Sequence, residues 1–412
     1  MTSSPEKKSL TRRVLDRWNG WSFGAKTLGA MFLGGAIGLW VGPSAAVVAP
    51  VGEIFIRALI MSAIPLVFFN LLAGLTSAGD IKLLGRVGSR VLFLYVFSTF
   101  VAMGLGLAII HWLKPGLGMP LRGEISQEIG NVPSFASTIM DLVPRNIFQA
   151  LASGSVAQIA VFAALLGVAT VMLPAAKREP LARGYALIAD ALRQLTALIM
   201  VIAPLGVAAL SAVTAGQYGA VILGPLSLFV GGVWLAQSLV AVFYLVILYL
   251  TTGTRPVDFL QRTAPLYATT IATCSSLASL TVAMEVAEKR LGVPRRVYGI
   301  TLPLGSQFNK DGTAVTLAAI LLFTAQAVGV HFDFGAILSI LFVGLILSEG
   351  IGGVPGGGLV IAMIFVKAFH LPLEVAAIVG GIYRFFDMSN TTINCMGDLV
   401  WTKVVAHFEP PD

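Results

Sequence analysis

Charge is what this chain has least of. Asp, Glu, Lys and Arg make up 11% of its 412 residues, where a soluble domain carries about 25%. It has only two cysteines, Cys274 and Cys395, which gives no disulfide framework and excludes a disulfide-rich secreted fold. Its four histidines, His111, His331, His370 and His407, lie scattered near segment ends without ligand spacing. No nucleophile, base and metal set stands out, so a membrane-embedded hydrolase has no support. Apolar residues fill the space: 57% are aliphatic, aromatic or Cys, and 44 are Gly. A soluble chain of that composition would aggregate, and a disordered one would be far more charged. An ordinary cytosolic enzyme is excluded, and an all-α polytopic membrane protein is implied.

The net charge of +7 does not point to nucleic acid, because the basic residues gather at segment ends. Lys7, Lys8, Arg12, Arg13 and Arg17 face only Glu6 and Asp16. That start lacks the apolar core of a signal peptide. Residues 1–24 read as a basic cytoplasmic tail by the positive-inside rule, on a multi-pass protein of the plasma (inner) membrane. Apolar stretches long enough to span follow at 27–49, 51–76, 89–113, 150–173, 185–214 and 219–251. Between Lys114 and Arg145 the chain is more polar and holds Pro115, Pro120, Pro133 and Pro144, so it reads as an interfacial insertion. Lys177-Arg178-Glu179-Pro180 and Thr252–Arg255 read as loops.

After residue 255 the spans are interrupted. Residues 257–290 carry Thr269, Thr270, Thr273, Ser275, Ser276, Ser279 and Thr281 in their middle. The apolar run 334–348 reaches only about 22 Å as a helix, short of a hydrocarbon core of about 30 Å. The stretch from Glu349 to Gly358, too rich in Gly and Pro to be helical, follows it, and then a second apolar arm to Phe369. Both regions read as re-entrant hairpins, about 256–290 and 334–370, whose tips must be buried in protein or line a wet cavity. Each is followed by a polar span, one with Asn309-Lys310-Asp311-Gly312-Thr313, the other with Asn394 to Asp398. Hairpin then polar helix, twice, is the pattern of an inverted repeat around a midplane site.

The last span carries most of the chemistry. Arg384, Asp387, Thr391, Asn394 and Asp398 are spaced by 3, 4, 3 and 4, which puts them on one helical face. Each charge at the bilayer centre costs at least about 2.5–3.5 kcal/mol, so the face meets protein, water, an ion or a solute. An Arg384–Asp387 pair of purely structural purpose is the plainer alternative. Asn309, Asp311 and the carbonyls freed by an unwound helix are hard oxygen ligands suited to Na⁺ or another small cation. Serine hydroxyls and free amides at a broken helix start attract a carboxylate. A Gly/Pro tip can hinge as a gate.

At these residues the chain resembles the dicarboxylate/amino acid:cation symporters, the glutamate-transporter-like family. The resemblance rests on Thr273-Cys-Ser-Ser-Leu-Ala-Ser279, Asn309-Lys-Asp-Gly-Thr313, Gly353-Val-Pro-Gly356, and Asp387 followed by Asn390, Thr391, Asn394 and Gly397-Asp398. It covers about residues 25–407 and is strongest after 255. It implies a homotrimer of an elevator-type fold with eight transmembrane helices and two re-entrant hairpins. Residues 25–252 would be mainly scaffold, with the third helix lent to a transport domain at 253–408. It implies one cation site of Tyr95, Ser98, Thr99, Asn309 and Asp311, and a second of Asp398 with carbonyls near Gly305 and Asn394, with Ser348 beside the hairpin. Ser275, Ser276, Thr313, Val354, Gly358, Thr391 and Asn394 would bound the solute, and Asp387 would hold its ammonium. Gly353 and Pro355 would serve the gate.

The departures matter most. Where the family places the arginine for acidic solutes, this chain has Asn390, and Tyr383 replaces an acidic residue that supports that arginine. The loss of a bidentate guanidinium weakens binding of a second carboxylate. A small neutral amino acid, driven by Na⁺ or by H⁺, is therefore the expected cargo. An acidic amino acid or dicarboxylate carrier using Arg384 is the alternative, and a non-transporting sensor or anion channel on the same scaffold a further one. Lys310 stands where the family usually has Met, and Glu349 is an anion at the gate. The expectation is that Lys310 occupies or repels one sodium ion and pairs with Glu349 when the gate closes, so that fewer sodium ions or a proton are used. The plain alternative is that both point away to water. Cys274 and Cys395 border the pocket as small apolar filler.

Overall fold

The computed structural model describes residues 21, 23–76, 84–119, 135–349 and 356–409, and all regular structure among them is helical. Helix α1 (Phe23–Val41) passes through a 3₁₀ turn at Gly42–Val48 into α2 (Ala49–Thr76). Pro43 forces that turn, since it lacks the N–H that continuing the helix would require. Next comes α3 (Ser89–Leu113), ended by Lys114 in a left-handed conformation with its N–H on the Ile110 carbonyl. Three short elements follow: α4 (Phe135–Asp141), α5 (Ile147–Ser153) and α6 (Val156–Val171). Helix α7 (Ala175–Met200) and α8 (Ala203–Tyr218) are separated by a turn ahead of Pro204. A long helix, α9 (Leu223–Thr252), completes this half and stops at Gly253, φ +69°.

The second half begins with two arms, α10 (Pro256–Thr273) and α11 (Ser276–Glu285), joined at Cys274, φ +51°, with Ser275 accepting the Ala278 N–H as N-cap. A π-type turn at Val286–Arg290 leads to α12 (Arg295–Phe308) and α13 (Asp311–Ala327). Then come α14 (Phe334–Glu349), α15 (Gly357–Ala368), α16 (Leu373–Gly380) and α17 (Arg384–His407). Helix α13 is the axis of the molecule: Asp311 to Ala325 are buried without a break. It packs against α3, α9, α14, α15 and α17. Gly106 of α3 lets the two backbones meet, because a side chain there would begin 2.9 Å from the Val315 carbonyl oxygen.

Phe32, Leu33, Trp40, Phe93, Trp112 and Leu250 lie exposed on the outside. That coat suits lipid. Three helical stretches, Phe23–Thr76, Arg86–Leu113 and Ala203–Thr252, are long and apolar enough to cross a membrane. They contain α1, α2, α3, α8 and α9. Helices α1 and α8 are held by small residues. Gly34 and Gly38 lie on the α8 backbone at Ala208 and Ala212, where any side chain would meet a carbonyl oxygen. Such close approach is how helices associate without a hydrophobic driving force.

Helices lie where the apolar stretches were expected, and the chain breaks at Cys274 and Ser275, with corrections elsewhere. The Lys177–Pro180 segment is not a loop but the first turns of α7. Its Ala, Lys, Arg, Glu and Leu residues are good helix formers. The expected span 150–173 is split at Gly154, and 185–214 is split before Pro204. Glu349 ends α14, and Gly357 and Gly358 begin α15 after Gly356, φ +73°. Helix starts tolerate Gly far better than helix interiors do.

Candidate functional site

The break between α12 and α13 gathers the first cluster. Asn309 and Lys310 belong to neither helix, so carbonyls behind them and amides ahead lack intrahelical partners. Asp311 accepts from Thr99 Oγ1 of α3 at 2.6 Å and from the Tyr244 hydroxyl of α9 at 2.5 Å. Asn309 Nδ2 donates to Asp398 Oδ1 at 2.9 Å and to the Asn394 carbonyl at 3.0 Å, both on α17. The Tyr95 hydroxyl donates to the Thr301 carbonyl at 3.0 Å. It stands beside Asp398 where a side chain at Gly305 would begin. Gly397 leaves matching room for the Tyr244 hydroxyl and Asn309 Nδ2. Asn309, Asp311 and Asp398 are buried, and Asn309 Oδ1 has no hydrogen-bond partner among the described residues. A buried acceptor left open beside two carboxylates is a donor set that fits a hard cation.

The second cluster lies toward the start of α17. Arg384 Nη1 donates to Asp387 Oδ2 at 3.0 Å, and the Gly356 amide donates to the same oxygen at 3.1 Å. Asp387 thereby ties α17 to the start of α15. The guanidinium also lies over the Phe23 ring, 4.6 Å from its centre, and its Nε and Nη2 have no partner among the described residues. One helical turn on, Asn390 Oδ1 accepts from Gln237 Nε2 and from Thr316 Oγ1, both at 2.7 Å, while its Nδ2 donates to the Tyr383 hydroxyl at 3.3 Å. Asn394 Oδ1 accepts the Gly312 amide at 2.8 Å, and its Nδ2 donates to Thr313 Oγ1 at 3.2 Å. The Tyr383 hydroxyl and the Thr313 methyl fill the space a side chain at Gly358 would need.

The profile of the sodium:dicarboxylate symporter family matches residues 23–408. This chain belongs to that family. It is 32% identical over 387 residues to the proton/glutamate-aspartate symporter of Bacillus subtilis, covering 92% of this chain and 93% of that protein. It is 29% identical over 374 residues to the proton/glutamate-aspartate symporter of Escherichia coli, covering 88% and 85%. It is 28% identical over 368 residues to the C4-dicarboxylate transport protein of B. subtilis, covering 87% of each. The sodium:dicarboxylate symporters are membrane transporters, and this chain is one of them rather than an enzyme.

Of the residues expected from sequence, Tyr95, Thr99, Gly305, Asn309, Asp311, Asn394 and Asp398 meet in the first cluster. Arg384, Asp387, Asn390, Thr313 and Gly358 surround the second. Several hydroxyls donate to a carbonyl of their own helix. Ser98 donates to the Tyr95 carbonyl and accepts from Trp401, Thr391 donates to the Asp387 carbonyl, and Ser348 donates to the Leu345 carbonyl. Ser276 is buried, whereas Ser275 caps α11 and lines a cavity of about 620 Å³ shared with Phe23 and Arg193. Lys310 does not point to water: it is 1% exposed. Gly353, Val354, Pro355 and the Glu349 side chain lie outside the described residues. Sequence reasoning missed Gln237, Tyr244 and Thr316. Gln237 and Tyr244 lie seven apart, on one face of an otherwise apolar span. An amide in such a span is a detectable signal, since it needs a partner helix.

Proposed function

We propose that this protein is a cation-coupled symporter for a small neutral amino acid, working as an elevator with eight transmembrane helices and two re-entrant hairpins. The single observation behind the coupling is the open Asn309 Oδ1 beside Asp311 and Asp398. Asp311 with Thr99 and Asn309 would hold one cation, and Asp398 with Tyr95 and nearby carbonyls would frame a second position. Sodium or a proton there offsets the carboxylate charge, and the relatives named as proton/sodium-glutamate symport proteins use those same ions by name.

Asp387 would take the ammonium group of the cargo, with Thr391, Asn394 and Ser276 near its carboxylate. The Gly356 amide on Asp387 gives a physical link between cargo and gate. Asn390 is held by Gln237 and Thr316 and carries no charge, and the Tyr383 ring narrows the space at Gly358. Both favour a small uncharged side chain. Helices α10–α17 with α3 would form the moving body. Helix α9 belongs with them, because Gln237 and Tyr244 bond into it. The remaining helices would be the fixed scaffold of a homotrimer in the plasma membrane, with the N-terminus cytoplasmic.

A second reading, an acidic amino acid or dicarboxylate carrier, is favoured by the two partnerless guanidinium nitrogens of buried Arg384 and by the relatives' named substrates. Uptake into proteoliposomes separates the two. Labelled serine, alanine, glutamine, aspartate and succinate would be offered under a sodium gradient and, separately, a proton gradient. We expect gradient-driven uptake of a neutral amino acid. Uptake of aspartate or succinate alone would move recognition to Arg384, and uncoupled current without uptake would make the protein a channel.

A further inference from the structure

We propose that Gln237 sets the carrier's selectivity for the side chain of its cargo: it locks the Asn390 amide so that the side-chain end of the pocket offers hydrogen-bond donors, and neutral amino acids with an oxygen acceptor on the side chain are preferred. The inference rests on the neutral-cargo reading and deepens it. Gln237 is 2% exposed, in the largely apolar α9. Its Nε2 donates to the Gly312 carbonyl of α13 at 3.2 Å and to Asn390 Oδ1 of α17 at 2.7 Å. A carbonyl only accepts, so the Gly312 oxygen fixes which end of the Gln237 amide is the nitrogen. That nitrogen in turn fixes the oxygen of Asn390. Thr316 Oγ1 donates to the same oxygen at 2.7 Å.

With its oxygen taken, Asn390 turns its nitrogen the other way. Asn390 Nδ2 donates to the Tyr383 hydroxyl at 3.3 Å, which uses one of its two protons. The Tyr383 hydroxyl accepts in that bond and keeps its own proton to give. It stands where a side chain at Gly358 would begin, beside the Thr313 methyl. Gly358 and Thr313 bound the cargo in the neutral-cargo reading, so that wall presents an N–H and an O–H. The lock has a cost. Gln237 Oε1 is buried without a hydrogen-bond partner among the described residues. A buried acceptor left open is unfavourable, and a leucine in this span would avoid it. The chain keeps the glutamine, and the work of its other end is to hold Asn390.

Serine and 2-aminobutyrate have nearly the same shape and differ in the hydroxyl, while alanine reaches the wall with neither group. Uptake of the three into proteoliposomes, under the gradient that drives alanine uptake, gives KM and kcat for each. The variant is Gln237→Met, which keeps the length of the side chain and removes its polar end. We expect wild type to favour serine over 2-aminobutyrate by about tenfold in KM. In Q237M that preference should fall to about twofold or less, because a released amide turns either edge to the cargo, while alanine keeps its KM within about twofold. A merely structural role of Gln237 would weaken all three alike. Parallel loss for the three, an unchanged preference in folded Q237M, or a wild-type preference near one overturns the proposal and leaves the neutral-cargo reading in place. Gln237→Leu is the second variant, and if neither folds, the wild-type preference alone decides. Uptake of aspartate or succinate alone overturns both, as does uncoupled current without uptake.

Discussion

The helices remote from α13 and those gathered around it use the same polar side chains differently. In α1, α2 and α7 the buried hydroxyls bond their own helix: Thr27 to Phe23, Ser62 to Leu59, Thr76 to Leu72 and Thr196 to Leu192. Around α13 they reach across: Thr99 to Asp311, Tyr244 to Asp311, Thr316 to Asn390 and Trp401 to Ser98. The first kind merely hides a hydroxyl in an apolar span. The second kind fixes the positions of helices relative to one another and leaves some acceptors open for a ligand. The first half has a few crossings of its own, Arg193 to Asn70, Thr170 with the Tyr185 hydroxyl and Gln158 to the Asp141 carbonyl. Otherwise glycine-lined contact holds that half, so shape matters there and hydrogen-bond partners matter in the other.

The largest break in the comparison should come from Asp311→Asn. The substitution keeps the shape and removes one anion from the first cluster. At about 4 Å and an effective dielectric near 20, a unit charge pair is worth about 4 kcal/mol, so cation affinity should fall by about a thousand-fold. Cation titration of purified protein by thermal shift would show it, and a change under tenfold would contradict the assignment. Next is Thr99→Val, which deletes the hydrogen bond to Asp311. A bond to a charged group contributes about 1.5–3 kcal/mol, so we expect a loss of roughly ten- to a hundred-fold in the same titration, with the fold intact. Gly38→Val probes the other half. Its side chain must displace the α8 backbone, at a cost of about 1–3 kcal/mol. Yield and melting temperature should drop, while the cation affinity of the protein that folds stays as in wild type.

Much of this contrast could be read from sequence, though unevenly. The Asn309–Asp311 and Asp387–Asp398 motifs announced themselves because charge and amide in an apolar span are expensive. The tip at Cys274 and Ser275 was marked by its serines, and the end of α9 by Gly253. The extent of α7 was misread, because Pro180 and a charged run look like a loop when a helix simply extends beyond the apolar region. Partner choice was the hidden part. Asn390 attracts notice as a missing arginine, but nothing local says that Gln237, 153 residues away in sequence, holds its oxygen. Lys310 was equally ambiguous. Its neighbours in sequence permit either water or burial, and in the structure the ammonium turns back onto the Ser306 carbonyl, four residues earlier, where α12 packs against α17.

The smallest expected effect gives the sharpest test of the comparison. Thr324 sits on α13, in the same buried stretch as Asp311, yet its hydroxyl donates to the Ile320 carbonyl of its own helix at 2.8 Å. Thr76 does the same in α2, donating to Leu72 at 2.7 Å. If the partner decides, Thr324→Val and Thr76→Val should behave alike despite their different locations. Each removes a bond that merely satisfied the hydroxyl, and a valine methyl fills the same volume. The carbonyl that loses the hydroxyl keeps its helical N–H, so no buried group is left unsatisfied. Both variants should stay within about 0.5 kcal/mol of wild type, and both should titrate with the cation as wild type does. If Thr324→Val instead lost cation affinity as Thr99→Val is expected to, proximity to the core would outweigh hydrogen-bond partnership. The contrast between the two halves would then be one of location alone.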